Sequence, residues 1–319
     1  MSIVIVLGEV AMLLFLTGLF FFLAGLEGSK KSLTKLALKR VELLLKKLSD
    51  NNLLSLLVGV VSTAILQSSS GLTVIVISLI ESGYLALKPA VLIIMGANIG
   101  TTLTVHLISL PIISYYSCII ISGLVVAIIG LFVNKKVFFG GLSLFCFGTA
   151  FAGLHLMTAS FDLASSRNII YNLLAFSRGN YLKGILLGAL ATGIVQSSSV
   201  ITAITVSLAR VNLINLSDAI AVTLGSNIGT CITGFLASIN ASIFSKRLAW
   251  GHLLFNFIGV LVLLPVIKPF IFLLDSTNTS LARQVANAHT LFNIYNLIIF
   301  LPFLNTFISV LRRGLNGDI

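Results

Sequence analysis

A chain of 319 residues with 57% hydrophobic and only 9% charged residues, at a mean hydropathy of +1.11, is no soluble globular domain, in which about 25% of residues are charged. The formal charge of +11 does not point to nucleic acid: the basic residues stand in short clusters between apolar runs, where lipid headgroups and membrane orientation explain them. Three cysteines, Cys118, Cys146 and Cys231, without a CxxC spacing, give neither a disulfide framework nor a zinc site.

The apolar runs are continuous and of helix length, unlike the ~10-residue alternating segments of an outer-membrane barrel, so an all-α integral membrane protein is expected. Residues 3–26 lack the basic start and small-residue cleavage site of a removable signal, and read as a retained first span. In 28–50, lysines and arginines alternate with Leu33, Leu36, Val41, Leu44 and Leu48 at helical spacing, which predicts an amphipathic linker helix in the membrane interface, with a solvated helix as the alternative. The apolar arms of 53–82 flank Gln67-Ser68-Ser69-Ser70, and each is shorter than the ~20 residues a crossing needs. A re-entrant hairpin fits them. Residues 85–110 carry Gly96, Asn98 and Gly100, which predict a broken helix whose unwound part lines a binding site. A span at 113–133 closes a first unit, 1–136.

The second unit, 137–319, repeats the plan: a span at 137–157, a linker at 160–181, a hairpin at 182–211 carrying Gln196-Ser197-Ser198-Ser199, and a broken helix at 217–240. Spans at 247–268 and 284–311 follow. At a constant offset of 129, residues 63–104 and 192–233 agree at 18 of 42 positions without a gap, and most of the matches are polar or glycine. An odd number of crossings separates equivalent points, so the two repeats should have inverted topology. Placing 28–50 in the cytoplasm puts 14 Lys/Arg inside and 6 outside, which satisfies the positive-inside rule, with the N-terminus outside and the C-terminus cytoplasmic.

Half-helix ends near the midplane would aim positive dipole ends at an anion and carbonyls at cations, and the QSSS hydroxyls and amides can serve both. No Lys or Arg lies within 51–87 or 184–209, so the expectation is that co-bound cations neutralise the anion, and neutral oxygen ligands suit Na+. Neither serine cluster has a GxSxG elbow or a nearby His/acid pair, and no GxxxxGK is present, so neither a serine hydrolase nor an ATPase is expected. Ser78 and Ser207 read as packing hydroxyls. The sets His252/Phe255/Asn256 and His289/Phe292/Asn293 each lie along one helix face and read as interhelical hydrogen bonding rather than metal or proton chemistry.

TAILQSSS with IIMGANIGT, TGIVQSSSV with VTLGSNIGT, and the later HLLFN and AHTLFN together resemble the type II sodium/phosphate cotransporter family, over nearly the whole chain. In both copies the NIGT asparagine follows the QSSS glutamine by 31 residues. The resemblance implies Na+-coupled transport of inorganic phosphate by alternating access, with no organic cofactor, in the lipid bilayer of a bacterial inner membrane. It implies that Gln67, Ser68, Ser69, Ser70, Gln196, Ser197, Ser198 and Ser199, with Asn98 and Asn227, bind the substrate. Thr73, Thr101, Thr202 and Thr230, with Ser69 and Ser198, are implied as sodium ligands. Bacterial members often carry a C-terminal PhoU-like regulatory domain and animal members a long loop between the halves; the sequence shows neither. Another oxyanion or an organic phosphate as cargo, a transport-inactive sensor or scaffold, and a homo-oligomer all stay open.

Overall fold

The structure, a computed structural model, describes residues 2–46, 51–163, 171–172 and 174–314. The end of the 28–50 linker, with Lys47, and residues 164–170 and 173 of the 160–181 linker, with Arg167, lie outside the described residues. The described chain is helical without strands, and seven of its segments are long and apolar enough to cross a membrane: Gly8–Leu45, Leu87–Ser109, Tyr116–Val133, Lys135–Asp162, Leu216–Ser238, Ile243–Asp275 and Leu281–Gly314. The polarity is reversed relative to a soluble protein. Asn227, Asn256, Asn293, His252 and His289 are buried, while Phe132, Ile194 and Phe272 cover the outside, where hydrocarbon would meet them. The protein is a multi-pass, all-α membrane protein.

Helix α1 (Ser2–Lys46) corrects the first expectation. The span and the linker as far as Lys46 are one helix of 45 residues, about 68 Å long at ~1.5 Å per residue. Gly25 and Gly28 do not break it, because they serve a helix contact: α6 (Lys135–Asp162) lies so close that a Cβ on Gly25 would strike Ala150 and Cys146, and one on Gly28 the Cys146 sulfur. Between α1 and α6 in the chain, α5 (Tyr116–Val133) packs on α6 in the same way, with Gly123 against Phe145 and Gly130 against Phe138.

Helices α2 (Asn52–Leu66), α3 (Ser69–Glu81) and α4 (Leu87–Ser109) follow. α2 and α4 lie side by side and run in the same direction, with Gly59 against Ile93, Gly96 against Leu56, Gly100 against Val60 and Gln67 beside Thr104. The linking helix α3 therefore runs back. The second copy, α7 (Tyr181–Val195), α8 (Ser198–Arg210) and α9 (Leu216–Gly229), has the same register, with Gly188 against Val222, Gly225 against Ile185 and Gly229 against Ala189. Each of these contacts is its counterpart plus 129, so the sequence repeat is also a repeat of packing.

The expected break in 85–110 is absent, for α4 is continuous through Gly96 and Gly100. Those glycines let α2 approach, and the Asn98 side chain is held by another helix instead of competing for its own backbone. In the second copy a break does occur, at Thr230–Cys231 just after the NIG segment, where α10 (Ile232–Ser238) begins. Helices α11 (Ile243–Leu263), α12 (Ile267–Asp275), α13 (Leu281–Phe300) and α14 (Leu304–Gly314) complete the bundle, with Pro265 and Pro302 in the 3-10 turns that separate α11 from α12 and α13 from α14.

The two hairpins approach from opposite ends of α4. Glu81, at the tail of α3, lies near the start of α4 and accepts hydrogen bonds from the Ser242 and Ser245 hydroxyls and the Ser242 amide at the start of α11. Arg210, at the tail of α8, donates to the Ile108 and Leu110 carbonyls at the other end of α4 (2.9 and 2.8 Å). Each contact suits the local helix dipole, a carboxylate at an N-terminus and a guanidinium at a C-terminus.

Candidate functional site

Both QSSS segments fold alike. Gln67 (φ 53°, ψ 30°) and Gln196 (φ 58°, ψ 25°) end their helices in the left-handed region, which costs a non-glycine residue about 1 kcal/mol or more. Ser68 and Ser197 are then extended at the N-cap positions of the next helices, where the Ser68 hydroxyl accepts from the Gly71 amide and the Ser197 hydroxyl makes no such bond. One helix thus ends and another starts within two residues, which leaves the first amides of α3 and α8 without helical partners. The tips touch, since the Ser70 hydroxyl lies 3.5 Å from the Gln196 carbonyl it donates to.

Between them is a tight cleft of about 20 Å3, lined by Gln67, Ser68, Ser69, Ser70, Ser197, Ser198, Ser199, Thr230 and Lys30. It adjoins a cavity of about 330 Å3 that Ser68, Ser70, Gln196, Ser197, Glu27 and Lys30 share, and a crevice of about 910 Å3 leads from Ser70 and Gln196 past Ser78 to Glu81. Two helix N-termini and six serines thus line one small space. Such a set can hold a compact oxyanion through N–H and O–H donors and present hydroxyl oxygens to a hard monovalent cation.

The structure assembles nine of the fourteen expected site residues around these connected spaces: the two QSSS runs and Thr230. The others are elsewhere. Thr73, Thr202 and Thr101 are buried and donate back to the Ser69, Ser198 and Ala97 carbonyls at 2.9, 2.8 and 2.9 Å. Asn98 and Asn227 do not line the cleft: Asn98 is engaged by Asn256 (3.0 Å) and His252 (3.2 Å), and Asn227 by His289 (3.1 Å) and Asn293 (3.4 Å). The HxxFN segments are therefore latches that fix α11 against α4 and α13 against α9, which is the interhelical role read from their spacing.

Two residues were missed. Thr104 donates to the Gln67 side-chain oxygen at 2.6 Å while the Gln67 amide donates to the Ala64 carbonyl at 2.6 Å, so this glutamine is fixed from both ends. The repeat had marked Thr104, but not its partner. Lys30 of α1 reaches the cleft from outside both hairpins, which corrects the expectation that no permanent cation lies beside the tips. Nothing near Lys30 in the chain signals this.

A bundle of membrane-crossing helices with a polar cleft enclosed between two hairpin tips defines a membrane transporter. The chain belongs to the Na+/Pi-cotransporter family, whose family model matches residues 21–159 and 162–273. It is 34% identical over 249 residues to YqeW of Bacillus subtilis, described as uncharacterized, covering 77% of this chain and 79% of that protein. It is 27% identical over 241 residues to YjbB of Salmonella typhimurium, whose name proposes inorganic phosphate export, covering 75% of this chain but 44% of that protein. Over 93 residues it is 41% identical to the human sodium-dependent phosphate transport protein 2B, covering 27% of this chain and 14% of that protein. The chain thus spans under half of the latter two relatives. No solved structure matches it.

Proposed function

We propose that this protein is a sodium-coupled secondary transporter of inorganic phosphate that works by alternating access between two inverted repeats. The observation that carries the reading is the meeting of two equivalent QSSS tips, approaching from opposite ends of α4, at one cleft. In a bilayer, α2/α3 and α7/α8 are then re-entrant hairpins, since arms of 13 to 15 residues are too short to cross ~30 Å of hydrocarbon. Phosphate binds the free amides and hydroxyls of Ser68–Ser70 and Ser197–Ser199 together with Gln67 and Gln196. Sodium takes Ser69, Ser198 and Thr230, with Thr73 and Thr202 as further oxygens, because a hydroxyl that donates to a carbonyl still has lone pairs to offer. Asn98, Asn227 and Thr101 act behind the tips. The charge distribution favours a cytoplasmic C-terminus in a bacterial inner membrane.

A coupled carrier is reversible, so the name of YjbB favours a second reading of direction, phosphate efflux, through the same site. Counterflow of radiolabelled phosphate into proteoliposomes, with sulfate and arsenate as competitors and Na+ replaced by choline or K+, tests the function. Sodium-dependent counterflow that arsenate competes and sulfate does not is expected. Exchange indifferent to Na+ would remove the coupling, and no phosphate exchange at all would remove the cargo.

A further inference from the structure

The charge of the cleft comes from a helix that belongs to neither hairpin. Lys30 lies on α1 and is the charged residue among those lining the space between the tips. It also lines the adjoining cavity, where Glu27 faces the same space one turn earlier. Glu27, however, pairs with Lys31 at 3.6 Å. Among the described residues Lys30 has no hydrogen bond and no ion pair; the carboxylate that acts on it through space is Glu27, one turn away and itself paired with Lys31. A lysine in that position is poorly explained as packing, because the desolvation of an unpaired ammonium is unfavourable.

We propose that Lys30 is the fixed counter-cation of the anion at the two tips, and that it sets how much sodium charge the anion requires. The inference rests on the reading of the cleft as an anion site. A phosphate group carries roughly one to two negative charges near neutral pH, while the N-termini of α3 and α8 supply only about +0.5 each. Lys30 raises that to about +2, enough to match a dianion before any cation enters. Sodium then couples the fluxes through its own sites and strengthens binding, but it is not needed to make the anion tolerable. Lys30 stays with the protein, so the net charge moved per turnover is still that of the phosphate and its sodium ions.

The test is calorimetric titration of the purified full-length protein with inorganic phosphate, in Na+ and in choline at fixed ionic strength. It compares wild type, Lys30→Arg, Lys30→Gln, and Lys30→Cys before and after reaction with an aminoethyl or a sulfonatoethyl methanethiosulfonate. Wild type should retain weak phosphate binding in choline. Lys30→Gln should lose it, weaken binding in Na+ by about tenfold or more, and steepen the sodium dependence. Lys30→Arg should stay within about threefold of wild type. Aminoethylation of Lys30→Cys, which restores an ammonium, should recover most of the affinity, and the sulfonate should not; wild type treated alike controls for the native cysteines. A purely structural lysine would not distinguish the two reagents, and that result, or phosphate binding unchanged in Lys30→Gln in both salts, overturns the assignment. If wild type binds no phosphate even in Na+, the transport reading falls and takes this inference with it.

Discussion

The two hairpins share a sequence pattern, a backbone turn and a packing register, yet their return helices sit in different surroundings. Helix α3 leaves Val74, Ser78 and Glu81 exposed along the 910 Å3 crevice, whereas α8 is buried over nearly its whole length, down to the fully enclosed Ser207. Their tails differ as well: the positions equivalent by the repeat hold Glu81 in one copy and Arg210 in the other, each grasping a helix end of the opposite polarity. A symmetric pair of motifs in asymmetric surroundings exposes the shared cleft toward one end of α4 and covers it toward the other. On the carrier reading proposed above, that is what one conformation must do, with the repeat supplying the binding groups and the flanking helices deciding which side reaches them.

The packing register is where the copies should be equal. Gly96→Leu and Gly225→Leu both drive a side chain into the backbone of the neighbouring helix and should each cost about 3 kcal/mol or more, leaving little folded protein in the membrane. Gly193→Leu, at a position with open space around it, should accumulate normally, as fluorescence-detected size exclusion can show. Unequal losses at Gly96 and Gly225 would break the structural equivalence.

At the tips, Gln67→Ala and Gln196→Ala should each reduce initial phosphate uptake about tenfold or more at matched expression, since Gln67 lines the cleft and Gln196 the cavity that adjoins it. Their supports differ. Thr104→Val removes the partner of Gln67 and should reduce uptake about fivefold, for a hydrogen bond worth ~1 kcal/mol. Its counterpart Thr233 donates to the Thr230 carbonyl rather than to Gln196, and Thr233→Val should change uptake little. Similar losses in both would mean that Gln196 also has a hidden partner.

The exposure difference is sharpened by labelling. A cysteine at Ser78 should react with a membrane-impermeant maleimide from the end of the protein where Glu81 lies, and a cysteine at Ser207 should not react from either side in the absence of substrate. Equal reactivity would mean that the two crevices exchange freely at rest.

The smallest effect is at the tails. The hydrogen bonds from Ser242 and Ser245 hold the Glu81 carboxyl below its ordinary value. Its pKa being lower in the folded contact, the α3–α11 clasp is at full strength above the ordinary carboxylate pKa of about 4.3 and weakens as pH falls through the depressed value. The Arg210 clasp keeps its charge throughout. The distance between spin labels on Ser82→Cys and Ala241→Cys, measured by pulsed electron paramagnetic resonance from pH 7 to pH 3, should lengthen only at the acid end.

Much of this was legible in the sequence, because polar residues repeated at equal depth in an apolar chain have few uses. The QSSS turns, the hairpin pairing and the role of the HxxFN latches follow from the period and from helical spacing. The partners of those latches did not, because Asn98 meets Asn256 across 158 residues of chain and nothing local records which face of α4 meets α11. The glycines in GANIG were read as a site of unwinding when their use is close approach, a choice that depends on a neighbouring helix. Lys30 was hidden for the same reason. Its place among a run of basic residues suggested headgroups, and only the continuation of α1 past the glycines carries it to the cleft.

The seam between α1 and α6 has a consequence for evolution and engineering. Gly18 rests against Gly153 and Met157, and Gly25 against Ala150 and Cys146, so the two helices mesh like a rack with teeth of one size. A slip by one residue would turn Lys30 by about 100° around its helix and lift it about 1.5 Å, away from the serines. The strength of the cleft's charge is thus set by a ruler of small side chains located outside both hairpins. Substitutions along it should alter the apparent phosphate affinity without touching any group that meets the ion.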